Sequence, residues 1–237
     1  MNSLDFTFSG AQLVALPSGG LFWPERSVLI VSDLHLGKAA RLLPFGGAQL
    51  PPYEARETLV RLSDDIEATG ARHVICLGDS FDAPGVDMEL PEPDRLHIAA
   101  LQAGRDWTWI EGNHDPGPVS LGGTHVTELD LAPLVLRHIA QPEAKPQAQG
   151  EVSGHYHPKA RIVLRGRSLT RRCFLLDSAR LILPAYGTFT GGLRSDSTIL
   201  CDLMAPEAYA ILIGPTLARI PMPRGDVTSP LRPATAR

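Results

Sequence analysis

Cysteine, aromatic residues and long apolar runs are all scarce in this 237-residue sequence, and each scarcity removes a class of function. The three cysteines, Cys76, Cys173 and Cys201, are odd in number, far apart and set in apolar stretches. That argues against a disulfide framework or a thiolate metal site and fits a reducing compartment. No stretch approaches the roughly 20 apolar residues of a membrane-spanning helix. The opening MNSLDFTFSG puts acid and polar residues where a secretory leader has a basic start and an apolar run. The expectation is therefore a soluble, cytoplasmic protein with no membrane partner. Aromatics make up only 6% of the chain, and Trp107 and Trp109, flanking a threonine, read as core packing rather than a base-stacking platform. Nor is there an excess of positive charge. Twenty-two Lys and Arg against 26 Asp and Glu give a formal net charge of −4, which disfavours a surface devoted to nucleic acid but leaves room for a local basic patch.

What is present is an alternation of apolar runs with helical stripes. Residues 11–16, 21–23 and 27–32 read as strands, the last without alternation, as expected when both faces are covered. A stripe through Tyr53, Leu59, Leu62 and Ile66, opened by prolines and closed by Gly70, predicts a helix over 51–70. Strand 73–79, helix 93–104 and strand 106–113 follow. The second half reads mostly as strands, at 134–139, 151–157, 161–165, 172–177, 180–185, 197–203 and 208–213. The expected fold is α/β: a four-layer sandwich of two mixed β-sheets face to face with helices outside. It forms one domain over 1–220, with an N-terminal hairpin extension at 1–26. Residues 141–150 read as a mobile loop and 221–237 as a flexible tail.

Eight histidines are the informative count, because their spacing is not random. Four segments, SDLHLGK (32–38), LGDSFD (77–82), EGNHD (111–115) and SGHYH (153–157), each follow an apolar run. Parallel strands bring their polar groups to a common edge, where open α/β folds place ligands. Period-two alternation predicts that His155 and His157 share one side of a strand. Oxygen and nitrogen donors without thiolate suit Mn, Fe or Zn better than Ca. Six or seven such groups exceed the needs of one ion, so a two-metal site with a bridging carboxylate is the economical inference. Such metal pairs activate water and neutralise phosphoryl oxygens.

In this order, DxH, GDxxD, GNHD and GHxH resemble the calcineurin-like metallophosphoesterase superfamily over roughly residues 27–215. The resemblance implies Asp33, His35 and His157 as ligands of a first metal and Asp79 as the bridge. It implies Asn113, His138 and His155 as ligands of a second, although Ile139 follows His138 where the family has glycine. It makes His114 a non-metal catalytic histidine; its neighbour Asp115 reads either as orienting that imidazole or as a turn or cap residue. Two divalent ions are implied, with Mn the first choice and Fe or Zn as alternatives. Within the superfamily, SDLHLGKAARLLPFGGAQLPP (32–52), GHYHPKARI (154–162) and LILPAYGTFTGGL (181–193) are similar to bacterial phosphoesterases encoded beside a DNA ligase and a large helicase. That likeness implies a DNA-repair endonuclease with ligase and helicase as partners. Oligomeric state stays open, a homodimer included.

Substrate contacts are sought among Lys38, Arg41, Lys159 and Tyr186. From Lys159 to Arg172 there are six basic residues and no acid, which reads either as a phosphate contact or as a solvated hairpin. Six acids between Asp79 and Asp94 argue the other way, towards a small nucleotide or lipid-headgroup ester. A metal-stabilised scaffold subunit of a repair assembly is a third reading.

Overall fold

The computed structural model describes residues 2–39, 53–142, 149–164 and 166–224. The expected segment around Arg41, most of the 141–150 loop, Arg165, and the tail from 225 onward lie outside the described residues. Two sheets form the centre. The first has the order β1-β2-β3-β4-β5-β6-β7. Its strands are β1 (Leu4–Phe8), β2 (Ala11–Ala15), β3 (Leu21–Trp23), β4 (Val28–Val31), β5 (His73–Leu77), β6 (Asp106–Ile110) and β7 (Thr124–Val126). β1 to β4 are antiparallel neighbours, and β4 to β7 are parallel. The second sheet contains β8 (Glu128–Leu131), β9 (Leu134–Arg137), β10 (Gly150–Ser153), β12 (Arg167–Leu176), β13 (Arg180–Ile182), β14 (Tyr209–Leu212) and β15 (Ala218–Pro221), with β11 (Lys159–Leu164) paired to β12 off its main path.

The non-alternating strands are covered on both faces, as their sequences require. On β4, Val28 and Ile30 face the second sheet in a cluster with Ile75, Leu134, Val152, Phe174 and Ile211. Leu29 and Val31 face the opposite way, towards α1 (Glu54–Thr69), the short α2 (Val86–Glu89) and α3 (Glu92–Gln102). Leu59, Leu62 and Ile66 on α1 are each at most 3% exposed. Burying each contributes about 1.5–3 kcal/mol. α1 ends at Gly70 in the left-handed conformation, whose N–H closes the last turn on the Ile66 carbonyl. Outside the second sheet, α4 (Thr198–Leu203) packs Leu200 with Met204 against Cys173, Leu175 and Leu212. Helices, sheet, sheet and helix make the four layers. Trp107 and Trp109 lie together in the outer core of the first sheet.

Three expectations change. Residues 197–203 form α4 rather than a strand, because Ser197 caps the first turn by accepting from the Leu200 N–H. The strand expected over 151–157 ends at Ser153. The chain stays packed past residue 221: Met222 is buried, and Arg224 donates to the Cys201 and Met204 carbonyls. β1, unforeseen in the sequence, supplies the outer edge of the first sheet.

Candidate metal centre

The parallel strands β4, β5 and β6 each end in a loop that carries a donor. The β4 and β5 exits run side by side: the Asp33 N–H donates to the Gly78 carbonyl (3.2 Å), His35 N–H to Asp79 (2.9 Å) and Leu36 N–H to Ser80 (2.9 Å). Asp115 braces this pair from beneath. Its buried carboxylate accepts from the backbone N–H groups of Asp79 (2.9 Å), Ser80 (2.8 Å), Phe81 (3.1 Å) and Gly112 (3.0 Å). Among the described residues this carboxylate's bonds are all to backbone amides and none is to the imidazole of His114, which is the turn role and not the orienting one. Asp115 positions the loop that holds Asp79.

Among the described residues, three groups of side chains can each hold an ion: Asp33, His35 and His157; Asp79, His138 and His155; and His35, Asp82 and His114. In the first, His157 Nε2 lies 3.1 Å from Asp33 Oδ1 and 3.3 Å from His35 Nε2. In the second, His138 Nε2 lies 3.3 Å from Asp79 Oδ2 and 3.0 Å from Asn113 Oδ1. Asp79 Oδ2 is also 3.9 Å from His35 Nε2, so this carboxylate stands between the two groups.

The donor chemistry fits cations. His138 Nδ1 donates to the Leu77 carbonyl (2.7 Å), which leaves a lone pair on Nε2 facing two acceptor oxygens. His35 Nδ1 pairs with Asp82 Oδ1 (3.1 Å), so its Nε2 lone pair faces His157 Nε2. Acceptors converging at such distances need a positive charge between them. The protonation balance says the same. Burial opposes charge on Asp79, yet the His138 hydrogen bond and charge, the His114 N–H and the charge of His35 hold its pKa down to about 2. Burial also opposes charge on Asp33, but His157, the charge of His138 and the Ser32 hydroxyl keep it below the ordinary range. His138 is raised despite burial, by Asp79, Asp33 and the Leu77 carbonyl, while burial and the His138 charge lower His155. These clusters suit a dinuclear centre of nitrogen and oxygen donors. Cys76 and Cys173 are buried, with thiol pKa values pushed up chiefly by that burial, and belong to the core.

Backbone strain marks the same residues. Asp33, His35, Asp79, His155 and His157 are five of the eight described non-glycine residues with positive φ. Such conformations cost on the order of 1–3 kcal/mol each and persist where surroundings impose them. They also overturn the period-two reading: His155 and His157 sit in a loop and serve different clusters. Two motif glycines are required by close approach. A Cβ on Gly78, at φ +77°, would come within 2.6 Å of the His138 ring, and one on Gly154 within 2.6 Å of Asp33 Oδ2.

His114 donates its backbone N–H to Asp79 Oδ1 (2.8 Å), and its Nδ1 lies 3.0 Å from the Asp82 carbonyl. Its ring meets that of His35 edge-on at 5.1 Å. Asp82, which sequence reasoning left without a role, holds His35; an acid three residues after a proposed ligand was the available signal. Glu54 is a second omission. It accepts from the Ala39 N–H (3.3 Å), tying the start of α1 to the loop after His35. On the second cluster's side, Glu111, Asn113, Glu128, Arg137, His138 and Ile139 line a cleft of about 360 Å³.

The expected substrate contacts divide. Tyr186 is fully buried and donates its hydroxyl to Asp65 (2.9 Å), so it presents no surface to a substrate. Phe189, 50% exposed, is the aromatic residue that this loop offers to solvent. Lys159 is half-buried with Nζ 3.2 Å from the Thr190 carbonyl, and burial with the charges of Arg172 and Lys38 lowers its pKa. Arg172 is tied to the Ala185 and Ser18 carbonyls. Arg41 lies outside the described residues.

The family model for calcineurin-like phosphoesterases matches residues 26–170. The chain belongs to the calcineurin-like phosphoesterase family. A crystal structure of the Pseudomonas putida nuclease MPE is similar to this phosphoesterase at 27% identity and a TM-score of 0.71, covering 92% of this chain and all of that one. The E. coli phosphoesterase Yfce matches at 13% identity and a TM-score of 0.41, over 83% of this chain and 99% of that one. Vps29 from Entamoeba histolytica, complexed with zinc, matches at 15% and 0.35 over the same share of this chain and 99% of its own. No curated protein matches the phosphoesterase significantly. No described helix is long and apolar enough to cross a membrane.

Proposed function

We propose that this phosphoesterase is a dinuclear, manganese-preferring phosphodiesterase that cleaves DNA, with a role in repair alongside a ligase and a helicase. Asp33, His35 and His157 would hold one ion, Asn113, His138 and His155 the other, and Asp79 would join them. The observation that carries this reading is the position of His114 beside two donor clusters that share Asp79. Bound divalent ions supply a nucleophile from water and positive charge for the phosphoryl oxygens. The Asp82 carbonyl fixes the proton of His114 on Nδ1 and leaves Nε2 free. As an imidazolium, His114 gives its Nε2 proton to the departing ester oxygen as the phosphorus–oxygen bond breaks, and the neutral ring left behind is the tautomer that Asp82 already holds. Asn113, on the exposed side of the cluster, presents its amide N–H to a phosphoryl oxygen.

Likeness to the Pseudomonas putida nuclease supports a nucleic-acid substrate. The acidic stretch is less hostile to a polyanion than its composition, since three of its six acids are buried while Glu89 and Glu92 stay exposed. Asp79, Asp82 and Asp87 are buried; Asp82 faces His35, and Asp87 accepts the Ser120 N–H at 2.5 Å. The test is the manganese-loaded protein against plasmid, single-stranded DNA, a cyclic nucleotide and an aryl phosphodiester, with His114→Ala in parallel. DNA cleavage is expected, reduced about 10²- to 10⁴-fold in the variant with metal content retained. Cleavage of the cyclic nucleotide alone would move the substrate to small esters, and an undiminished variant would remove His114 as the acid.

A further inference from the structure

The β11–β12 hairpin stands apart from the sheet that anchors it. β12 pairs with β13 and β14 only through Cys173–Leu176, whereas Arg167–Arg172 pair with β11. Alternation gives this ribbon two unlike faces. One carries Ala160 and Ile162, packed against the α4 core, then Leu164, Arg167, Leu169 and Arg171. The other carries Lys159, Arg161, Val163, Ser168, Thr170 and Arg172. At its base, Lys159 and Arg172 bond to the loop carbonyls of Thr190 and Ala185, and Lys159 follows His157 by two residues. Gly187 of this loop donates to the Asp33 carbonyl (3.1 Å). This second face therefore opens towards the first cluster.

We propose that the face bearing Lys159, Arg161, Ser168 and Thr170 is a track that holds the phosphate backbone of a DNA strand and leads it to the metal centre. The inference rests on the DNA phosphodiesterase reading. Arg161, Ser168 and Thr170 are exposed, and Ser168 Oγ accepts Arg161 Nε at 2.7 Å, which steadies the guanidinium while leaving its other N–H groups free. Side chains two residues apart on a strand are separated by about 6.8 Å, comparable to neighbouring phosphates on a nucleic-acid strand. The face thus offers two cations and two hydroxyl donors in register, the usual groups for backbone contacts. In a chain of net charge −4, the ribbon from Lys159 to Arg172 has no acid to oppose them.

The experiment compares Arg161→Glu with Arg171→Glu, which makes the same charge change on the opposite face. Initial rates of the manganese-loaded enzyme on a single-stranded oligonucleotide are measured at several salt concentrations. Arg161→Glu is expected to raise KM roughly fivefold to tenfold near 0.1 M salt and to flatten the salt dependence of kcat/KM by about one contact. Arg171→Glu is expected to leave both within about twofold. Equal effects of the two swaps would reduce the ribbon to a diffuse positive field and overturn the track. No effect of either would also overturn it, leaving the charge to an acidic protein partner. The parent enzyme's hydrolysis of an aryl phosphodiester separates the two levels. A parent inactive on both substrates fails as a phosphodiesterase and takes the track with it, whereas an active parent with matching variants fails the track alone.

Discussion

His35 and His138 both direct Nε2 towards Asp79, but the group behind each ring differs. The Asp82 carboxylate backs His35, and the neutral carbonyl of Leu77 backs His138. A carboxylate partner makes an imidazole a stronger donor than a carbonyl does. Surroundings differ in the same sense: Asp33 and His35 are 0% and 3% exposed, while Asn113 is exposed and borders the cleft with Glu111 and Arg137. The contrast predicts tighter binding at the first cluster and more exchangeable, substrate-facing binding at the second.

The largest test removes what the clusters share. Asp79→Asn is expected to lose metal from both and to lower turnover by at least about 10³-fold, read by elemental analysis beside rates on DNA and an aryl diester. Full metal content with full activity would end the shared-carboxylate account. A narrower change, Asp82→Asn, keeps an oxygen behind His35 but removes its charge. Manganese affinity at the tighter site should fall about 10- to 100-fold with the weaker site unmoved, as followed by calorimetric titration. Equal weakening at both would abolish the distinction. The smallest effect comes from protons. Asp79 and Asp33 raise the His138 pKa above its ordinary value against the pull of burial, so an ion entering the second cluster must displace a proton. Below that raised pKa, affinity there should fall by about tenfold per pH unit. The carboxylates of both clusters are held low, so it is the raised His138 that should make acidification empty the second cluster first. Simultaneous loss of both ions would contradict this order.

The parts of the fold that were legible in the sequence share a physical cause. β4, β5 and β6 are covered on both faces, so Val28–Val31 and residues 74–77 are unbroken apolar runs and residues 107–110 are interrupted only by the buried Thr108, and the donors stand shortly after them. α1 shows its stripe because only one side meets the sheet. What escaped depends on contacts between distant residues or on unusual backbone. His155 and His157 lie two apart, as on a strand face, but left-handed conformations turn them into separate clusters. Thr198 and Ile199 are β-branched, and the cap from Ser197 outweighs their strand preference. Asp115 beside His114 looked like its partner, whereas its carboxylate meets amides more than 30 residues earlier. Tyr186 follows an apolar run into a glycine-rich loop, which made it a candidate substrate contact; Asp65 on α1 takes its hydroxyl inside instead.

Gly78 and His138 are 60 positions apart, yet the space that one leaves vacant is the space that the other's ring fills. Position 78 is thus a socket cut in the first sheet for a histidine supplied by the second. The two positions are free to vary only together. A survey by alanine replacement would score Gly78 among the metal-binding residues although it donates no atom to a metal, since its loss of function would be the eviction of His138.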